Sequence, residues 1–506
     1  MGMMERGKAV DTPKNVLFIL SDEFRPECLF GPWAKLVKTP HLDALMREGV
    51  FFERCYCQAS PCAPSRMSIH TGRYMCSTGT VDNMTPLVDP EDNLGMWLRR
   101  QGLDPGIAGY NDYALDPRNL AADHPHRSSL SYDYFLPGYQ VVLDHEYDSP
   151  EWFASLREKG YPPEQCDRHG MRSTVVPNDD LNGHLPCHYP APYKAEDSEA
   201  HFLTDKAIDF ISEKQGKGWF LNVNYIKPHP PYLSPAPYND MYPPESVPEP
   251  VRQASERDTP HPYFPRMKPD SGKQEFLDEL IWREVRACYL GMVTELDACV
   301  GRLVNALRES GEWDNTLIVF GADHGTYLGD HYLSGKPHFY EQAMHVPLII
   351  RDPRPEANKT RGSRRADLVE NVDLAPTICD FLNLLPLPRA QGTSLLPLVA
   401  GNDHASGKPA AYFEFYYHNL LAEPSTARPA ECRLWVRRDA RYKYVIFGES
   451  TLPAVLFDLQ EDPGEFTNLA GRAEYSEVCR VAAEELIRWR MRCEDLRMED
   501  WARQYR

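Results

Sequence analysis

Short apolar runs alternate along this chain with longer amphipathic segments, and several of the runs stop abruptly at charged residues. Asn15 to Leu20 reads as a first strand that halts at Ser21-Asp22-Glu23. Trp219 to Ile226 reads as another strand, and Thr316 to Phe320 and Val346 to Ile350 as short buried ones. Thr39 to Gly49 has the pattern of a helix closed by glycine. Glu284 to Ser310 predicts a long amphipathic helix, with Leu290, Val293, Leu296, Val300, Leu303, Val304 and Leu307 at helical spacing. Val369 to Leu382 also reads as helical. Strands and helices in this alternation predict an α/β fold: a large, mainly parallel sheet flanked by helices. Further on, Trp435 to Val436, Tyr442 to Phe447 and Val455 to Leu459 read as antiparallel strands, followed by a helix at Ser476 to Arg490. The expected division is therefore an α/β domain over residues 1–404 and a smaller α+β unit over 405–506. Its tail ends EDWARQYR, and Trp501 and Tyr505 there suit an oligomerisation arm or a helix end folded onto its own chain.

Charge and hydropathy narrow the function classes. Across 506 residues, Lys and Arg number 55 and Asp and Glu 74, a net charge of −19. That balance opposes nucleic-acid and anionic-membrane binding, which need basic surface. Mean hydropathy is −0.53, and no apolar run approaches the ~18–20 residues of a membrane span. The run Val16 to Leu20 is too short for a secretory signal, and Arg6 stands where a myristoylation signal needs Ser or Thr. Thirteen irregularly spaced cysteines suit a reducing, cytoplasmic setting. Cys55 and Cys57 lack the second pair that a structural zinc site requires. Residues 112–195 and 227–272, rich in Pro, Asp, His and Tyr, predict long loops that shape a pocket or lid.

Three reactive clusters follow predicted strands: Asp22-Glu23 after NVLFIL, Asp323-His324 after TLIVFGA, and His229 after NVNYIKP. Open α/β sheets bind ligands beyond the carboxyl ends of their strands. The topology thus gathers carboxylates and imidazoles at one edge, a donor set suited to a divalent cation. His331, His338 and His345 recur every seven residues, a spacing that stacking on a helix would explain as well as chemistry would, and His331 and His345 read as structural.

Cys62-Ala63-Pro64-Ser65-Arg66, continuing to Thr71-Gly72, resembles the C-x-P-S-R…T-G signature of the sulfatase family within the alkaline phosphatase superfamily. The likeness extends through NVLFILSDEFRPE at the start, through GADHGTYLGDHYLSGKPHFYEQAMHVPLIIRDP from Gly321, and through NVDLAPTICDFLNL and LFDLQEDPGEFTNLA. Pro64 also suits the start of a helix, whose N-terminus favours anionic groups. The resemblance implies that a maturase oxidises Cys62 to Cα-formylglycine. It also implies that Asp22, Glu23, Asp323, His324 and the residue at 62 hold one divalent ion: calcium, manganese or magnesium.

Within that family, Asp323-His324 (where many members have Asp-Asn) and Gly109-Tyr110-Asn111-Asp112-Tyr113 (where many have G-K-W-H) resemble the phosphonate monoester hydrolase branch, which includes arylsulfatases. That likeness implies roles for Asn83, Tyr110, His229 and Lys336 around the substrate. Arg66, Asn83 and Lys336 would stabilise charge on the non-bridging oxygens, and His229 would serve the leaving oxygen. One hydroxyl of the hydrated aldehyde would attack sulfur or phosphorus, and the other would expel the product. Two residues depart from the branch: Glu23 replaces a glutamine and Asp112 a threonine. A carboxylate at 112 tilts the site toward singly charged esters. The implied activity is sulfate monoester hydrolysis of arylsulfatase type, with phosphonate monoesters and phosphodiesters as further substrates. The alternatives are a phosphonate monoester hydrolase or phosphodiesterase proper, and a non-catalytic metal-binding relative. The branch further implies a homotetramer or homodimer.

Overall fold

The computed structural model describes residues 14–494, apart from 128–129, 146–147, 171–172, 177–180, 182 and 269–274. The tail with Trp501 and Tyr505 lies outside the described residues.

Eight strands form the main sheet: β1 (Asn15–Ser21), β2 (Val50–Tyr56), β3 (Gly106–Gly109), β4 (Gln140–Asp144), β5 (Phe220–Tyr225), β6 (Thr316–Ala322), β7 (His345–Arg351) and β8 (Ser363–Glu370). Their order is β4-β3-β5-β1-β6-β7-β2-β8. β1 lies at the centre, parallel to β5 and β6. β7 runs antiparallel to both of its neighbours, so β2 returns to the common direction and β8 pairs parallel to it. Every residue of β1 and of β6 is buried, as expected of strands covered on both faces, which read as continuous apolar runs rather than alternating ones.

The helix Glu279–Glu309 is the longest of the described residues. It begins five residues before the predicted start, capped by Asp278, whose side chain accepts from the Leu280 amide. Its seven predicted core residues are all buried. Val369 to Leu382 is not one helix. Val369 and Glu370 finish β8, a short turn covers Asn371–Asp373, and the helix spans only Leu374–Phe381. Glu370 and Asp373 cap each other's backbone there, which stops the strand and starts the helix.

A second sheet follows, with β9 (Ala411–Tyr416), β10 (Arg433–Arg438), β11 (Tyr442–Phe447) and β12 (Val455–Asp458) in the antiparallel order β12-β11-β10-β9. The helix Ser476–Arg492 packs on it through Trp489, which stacks on Tyr412 at 4.7 Å. β9 also reaches the main domain: Glu414 donates its amide to the Gln58 carbonyl and accepts from the Cys76 amide. The small sheet thereby braces the segment that leads into Cys62.

Candidate functional site

Strand register brings the reactive residues together. Ser21 is level with Ala322 on β6 and with Tyr225 on β5. Asp22-Glu23, Asp323-His324 and the segment toward His229 therefore leave the same edge side by side. Gly109 is level with Asn224 and has φ +95°, where an added Cβ would meet the Asn224 carbonyl oxygen at 2.0 Å. That glycine lets β3 turn sharply into Tyr110, Asn111 and Asp112. β2 delivers the chain to the same edge, where the helix Cys62–Thr71 begins after Pro61, and all ten of its residues are buried. Gly72, in the left-handed region at φ 65°, ends it with its amide on the Ser68 carbonyl.

Ligand atoms of Asp22, Cys62, Asp323 and His324 lie within 4.8 Å of one another, as do those of Asp22, Glu23 and His229. His324 Nδ1 donates to the Gly325 carbonyl at 3.0 Å, which turns Nε2 and its lone pair toward Cys62 Sγ, 3.3 Å away. Burial keeps the His324 ring below its usual pKa, so it stays neutral, the form a metal ligand needs. Asp22, Glu23 and Asp323, joined by Asp112 when ionised, face two fixed cations, Arg66 and Lys336. A divalent cation would balance this set. Glu23 Oε2 is buried without a hydrogen-bond partner, an acceptor that a cation would satisfy. The oxygen-rich donors with one imidazole fit a hard or intermediate divalent ion.

The carboxylates differ in state. Burial disfavours the charge on Asp22, but His229, Lys336, His324 and Arg66 outweigh it and hold the group below the usual range. Burial also opposes charge on Glu23, and Lys336 and His229 again prevail. Asp323 moves the other way, raised by burial and then by Asp22. Burial pushes Asp112 up to about 7 despite Arg66. The Cys62 thiol is pushed well up by burial and then by Asp22, so it is not poised as a thiolate.

Arg66 stands differently from the expectation of a direct substrate contact. Its guanidinium is wholly buried, with Nε on Asp323 Oδ2 at 2.9 Å, Nη2 on Asp22 Oδ2 at 3.2 Å and Nη1 on the Tyr110 carbonyl at 2.8 Å. It sits behind the carboxylates and fixes them. Lys336 donates from Nζ to Glu23 Oε1 at 2.8 Å. His229 Nδ1 donates to the Pro230 carbonyl, leaving Nε2 3.6 Å from Glu23 Oε1. Asn83 Oδ1 accepts from the Ala63 amide at 3.1 Å, at the start of the Cys62 helix.

The seven-residue histidine repeat is not helical. His331 stacks on Tyr340 at 3.7 Å and meets Glu256, His338 meets the Tyr263 hydroxyl, and His345 begins β7. His331 and His338 have positive φ, which no helix accommodates.

Tyr289 is a site residue that the sequence reading missed. Glu23 has φ 64°, a left-handed conformation that is uncommon away from glycine. The Tyr289 hydroxyl donates to the Glu23 carbonyl at 2.7 Å and accepts from the Arg25 amide at 2.8 Å. Its one sequence signal was a hydroxyl on the buried face of the long helix, next to Leu290.

The Sulfatase family model matches residues 14–384, and the model described as N-sulphoglucosamine sulphohydrolase, C-terminal, matches 329–492. The chain is 33% identical to the multifunctional alkaline phosphatase superfamily protein PehA of Trinickia caryophylli, over 95% of this chain and 96% of that protein. It is 28% identical to an arylsulfatase of Clostridium perfringens, over 92% of this chain and 91% of that one. The solved structure of a phosphonate monoester hydrolase of Agrobacterium radiobacter superposes with a TM-score of 0.87 at 32% identity, covering 96% of each chain.

Proposed function

Since the chain belongs to the sulfatase family of the alkaline phosphatase superfamily, we propose that it is a metal-dependent, formylglycine-dependent hydrolase of sulfate monoesters, of arylsulfatase type, which also accepts phosphonate monoesters and phosphodiesters. The observation that carries this reading is the convergence of Asp22, Cys62, Asp323 and His324 on one point at the carboxyl edge, with Lys336 and His229 beside it through Glu23.

A divalent cation held by Asp22, Asp323 and His324 would supply Lewis acidity to the reacting ester. Formylglycine at position 62, hydrated to a geminal diol, would supply the nucleophilic oxygen and a second hydroxyl for product release. The rest falls to the chain's own side chains. Arg66 holds Asp22 and Asp323 in place as a positioning residue. The Asn83 amide group, its oxygen already engaged by Ala63, offers N–H donors to a substrate oxygen, and Lys336 adds positive charge there. His229 exchanges its proton at Nε2, because Nδ1–H is committed to the Pro230 carbonyl, and that nitrogen serves the leaving oxygen as general acid. Glu23, joined by Asp112 when ionised, adds negative charge, which disfavours doubly charged phosphate monoesters relative to singly charged esters. The second reading, a phosphonate monoester hydrolase or phosphodiesterase as the main activity, is favoured by the likeness to the Agrobacterium radiobacter enzyme. A reducing, cytoplasmic setting is part of the proposal and rests on thirteen free cysteines.

A substrate panel tests it, with protein co-expressed with a formylglycine-generating enzyme and Cys62→Ala as the blank. We expect kcat/KM for an aryl sulfate to exceed that for an aryl phosphonate monoester, a phosphodiester and a phosphate monoester by tenfold or more, about 1.4 kcal/mol. The reverse order puts the second reading first. Absence of turnover with all four, in protein whose position 62 is shown by mass spectrometry to be modified, would mean a relative that only binds metal. Asp112→Thr should raise phosphate monoester turnover relative to sulfate about tenfold.

A further inference from the structure

The long helix carries a second constellation of ligand-type side chains, which shares no residue with the carboxyl-edge cluster. Glu284, in its second turn, is a carboxylate with 2% exposure. Its Oε2 accepts from the Leu185 amide at 2.7 Å, and its Oε1 lies 2.5 Å from His184 Nδ1. The rings of His184 and His188 stack face to face at 4.0 Å, 9° from parallel. One ligand atom from each of the three residues falls within a 4.8 Å cluster.

The physical chemistry of this group is unusual for a surface loop packed on a helix. A buried carboxylate needs a positive partner, and the partner here is an imidazole that is charged only when protonated. A divalent cation shared by the two imidazoles and the carboxylate would supply that positive partner. Two nitrogens and one oxygen form the donor set of zinc and its transition-metal neighbours rather than of calcium or magnesium. Two ligands at zinc bond lengths of about 2.0–2.2 Å stand at most about 4.4 Å apart, close to the spacing here, which is up to 4.8 Å. The His184 side chain is 41% exposed, so an ion can enter from solvent. Hydration can fill the positions that the three side chains leave open.

We propose that His184, His188 and Glu284 form a second metal site, for a zinc-class divalent ion, which fastens the segment 184–188 to the long helix. The site is independent of the carboxyl-edge cluster and of the hydrolase reading.

The test is metal stoichiometry on the full chain. Protein is stripped with a chelator, equilibrated with excess magnesium, and dialysed against zinc at micromolar concentration. We expect the wild type to retain one more equivalent of zinc than the His184→Ala/His188→Ala variant. Asp323→Asn should keep that equivalent. Glu284→Gln retains the shape and the acceptor for the Leu185 amide, and should weaken this zinc site at least tenfold. Zinc should also raise the melting temperature of the wild type more than that of Glu284→Gln. The proposal is overturned if the double-alanine variant retains as much zinc as the wild type, or if Glu284→Gln binds the ion as tightly.

Discussion

His70 lies one helical turn beyond Arg66, fully buried, with Nδ1 2.9 Å from the Tyr139 hydroxyl. Burial, then the charge of Arg66, lowers it to about 3. Burial likewise lowers His145 and His201 to about 4. In the unfolded chain these rings titrate near their ordinary 6.5, so below that pH the unfolded state binds more protons than the native one. Their contribution to stability is complete well above pH 6.5 and is lost as the pH falls toward 4 for His145 and His201 and toward 3 for His70. Each proton taken up on unfolding costs about 1.4 kcal/mol per pH unit. Urea titrations at pH 7 and pH 5 should show the drop, and His70→Gln should remove about one proton from the slope. An unchanged slope in that variant would place the acid sensitivity elsewhere.

Among the elements, the long helix governs more than the core it buries. Through Tyr289 it fixes the left-handed backbone of Glu23, and through Glu284 it meets the loop that carries His184. Tyr289→Phe removes one hydroxyl bonded to two backbone groups. We expect a loss of about 1–2 kcal/mol in urea unfolding, together with weaker binding of the carboxyl-edge metal by calorimetry. Stability loss with unaltered metal affinity would limit Tyr289 to packing. β1 and β6 were legible in the sequence as short apolar runs, Asn15 to Leu20 and Thr316 to Phe320, and because the two strands pair parallel the acids after them share an edge. β3 and β4 were not legible. Gly106-Ile107-Ala108-Gly109 has no periodicity of its own, and its strand exists because β5 supplies a parallel partner. Val369 to Leu382 misled for a related reason: its apolar spacing suits a helix throughout, while pairing with β2 claims its first two residues. The candidate site residues were read from motif and edge. The inward turn of Arg66 was not, since it depends on Asp22, Asp323 and the Tyr110 carbonyl arriving from three strands.

At the scale of the whole molecule, the carboxyl edge concentrates negative charge that the fold alone does not neutralise. Chelation should therefore lower the melting temperature by a few degrees, and readdition of calcium, manganese or magnesium should restore it. An ion present at a hundred times its Kd contributes about 2.7 kcal/mol. A melting temperature indifferent to chelator would show that Arg66 and Lys336 suffice. The reversed strand β7 has a different kind of consequence. Because it runs against β6, the chain leaves the sheet and returns to it at one edge, between adjacent strands. The stretch from Asp323 to Met344 has no need to cross a face of the sheet, as the connections between parallel strands must. Lengthening such a closed loop is cheap, about 0.6 kcal/mol for each doubling. Between His324 and Lys336 that entropic term is joined by packing: Tyr327 and Leu328 are fully buried and Asp330 pairs with Arg25 and Arg286, so the mouth of the site is a fixed wall, and what it admits is set by the same contacts that hold the loop.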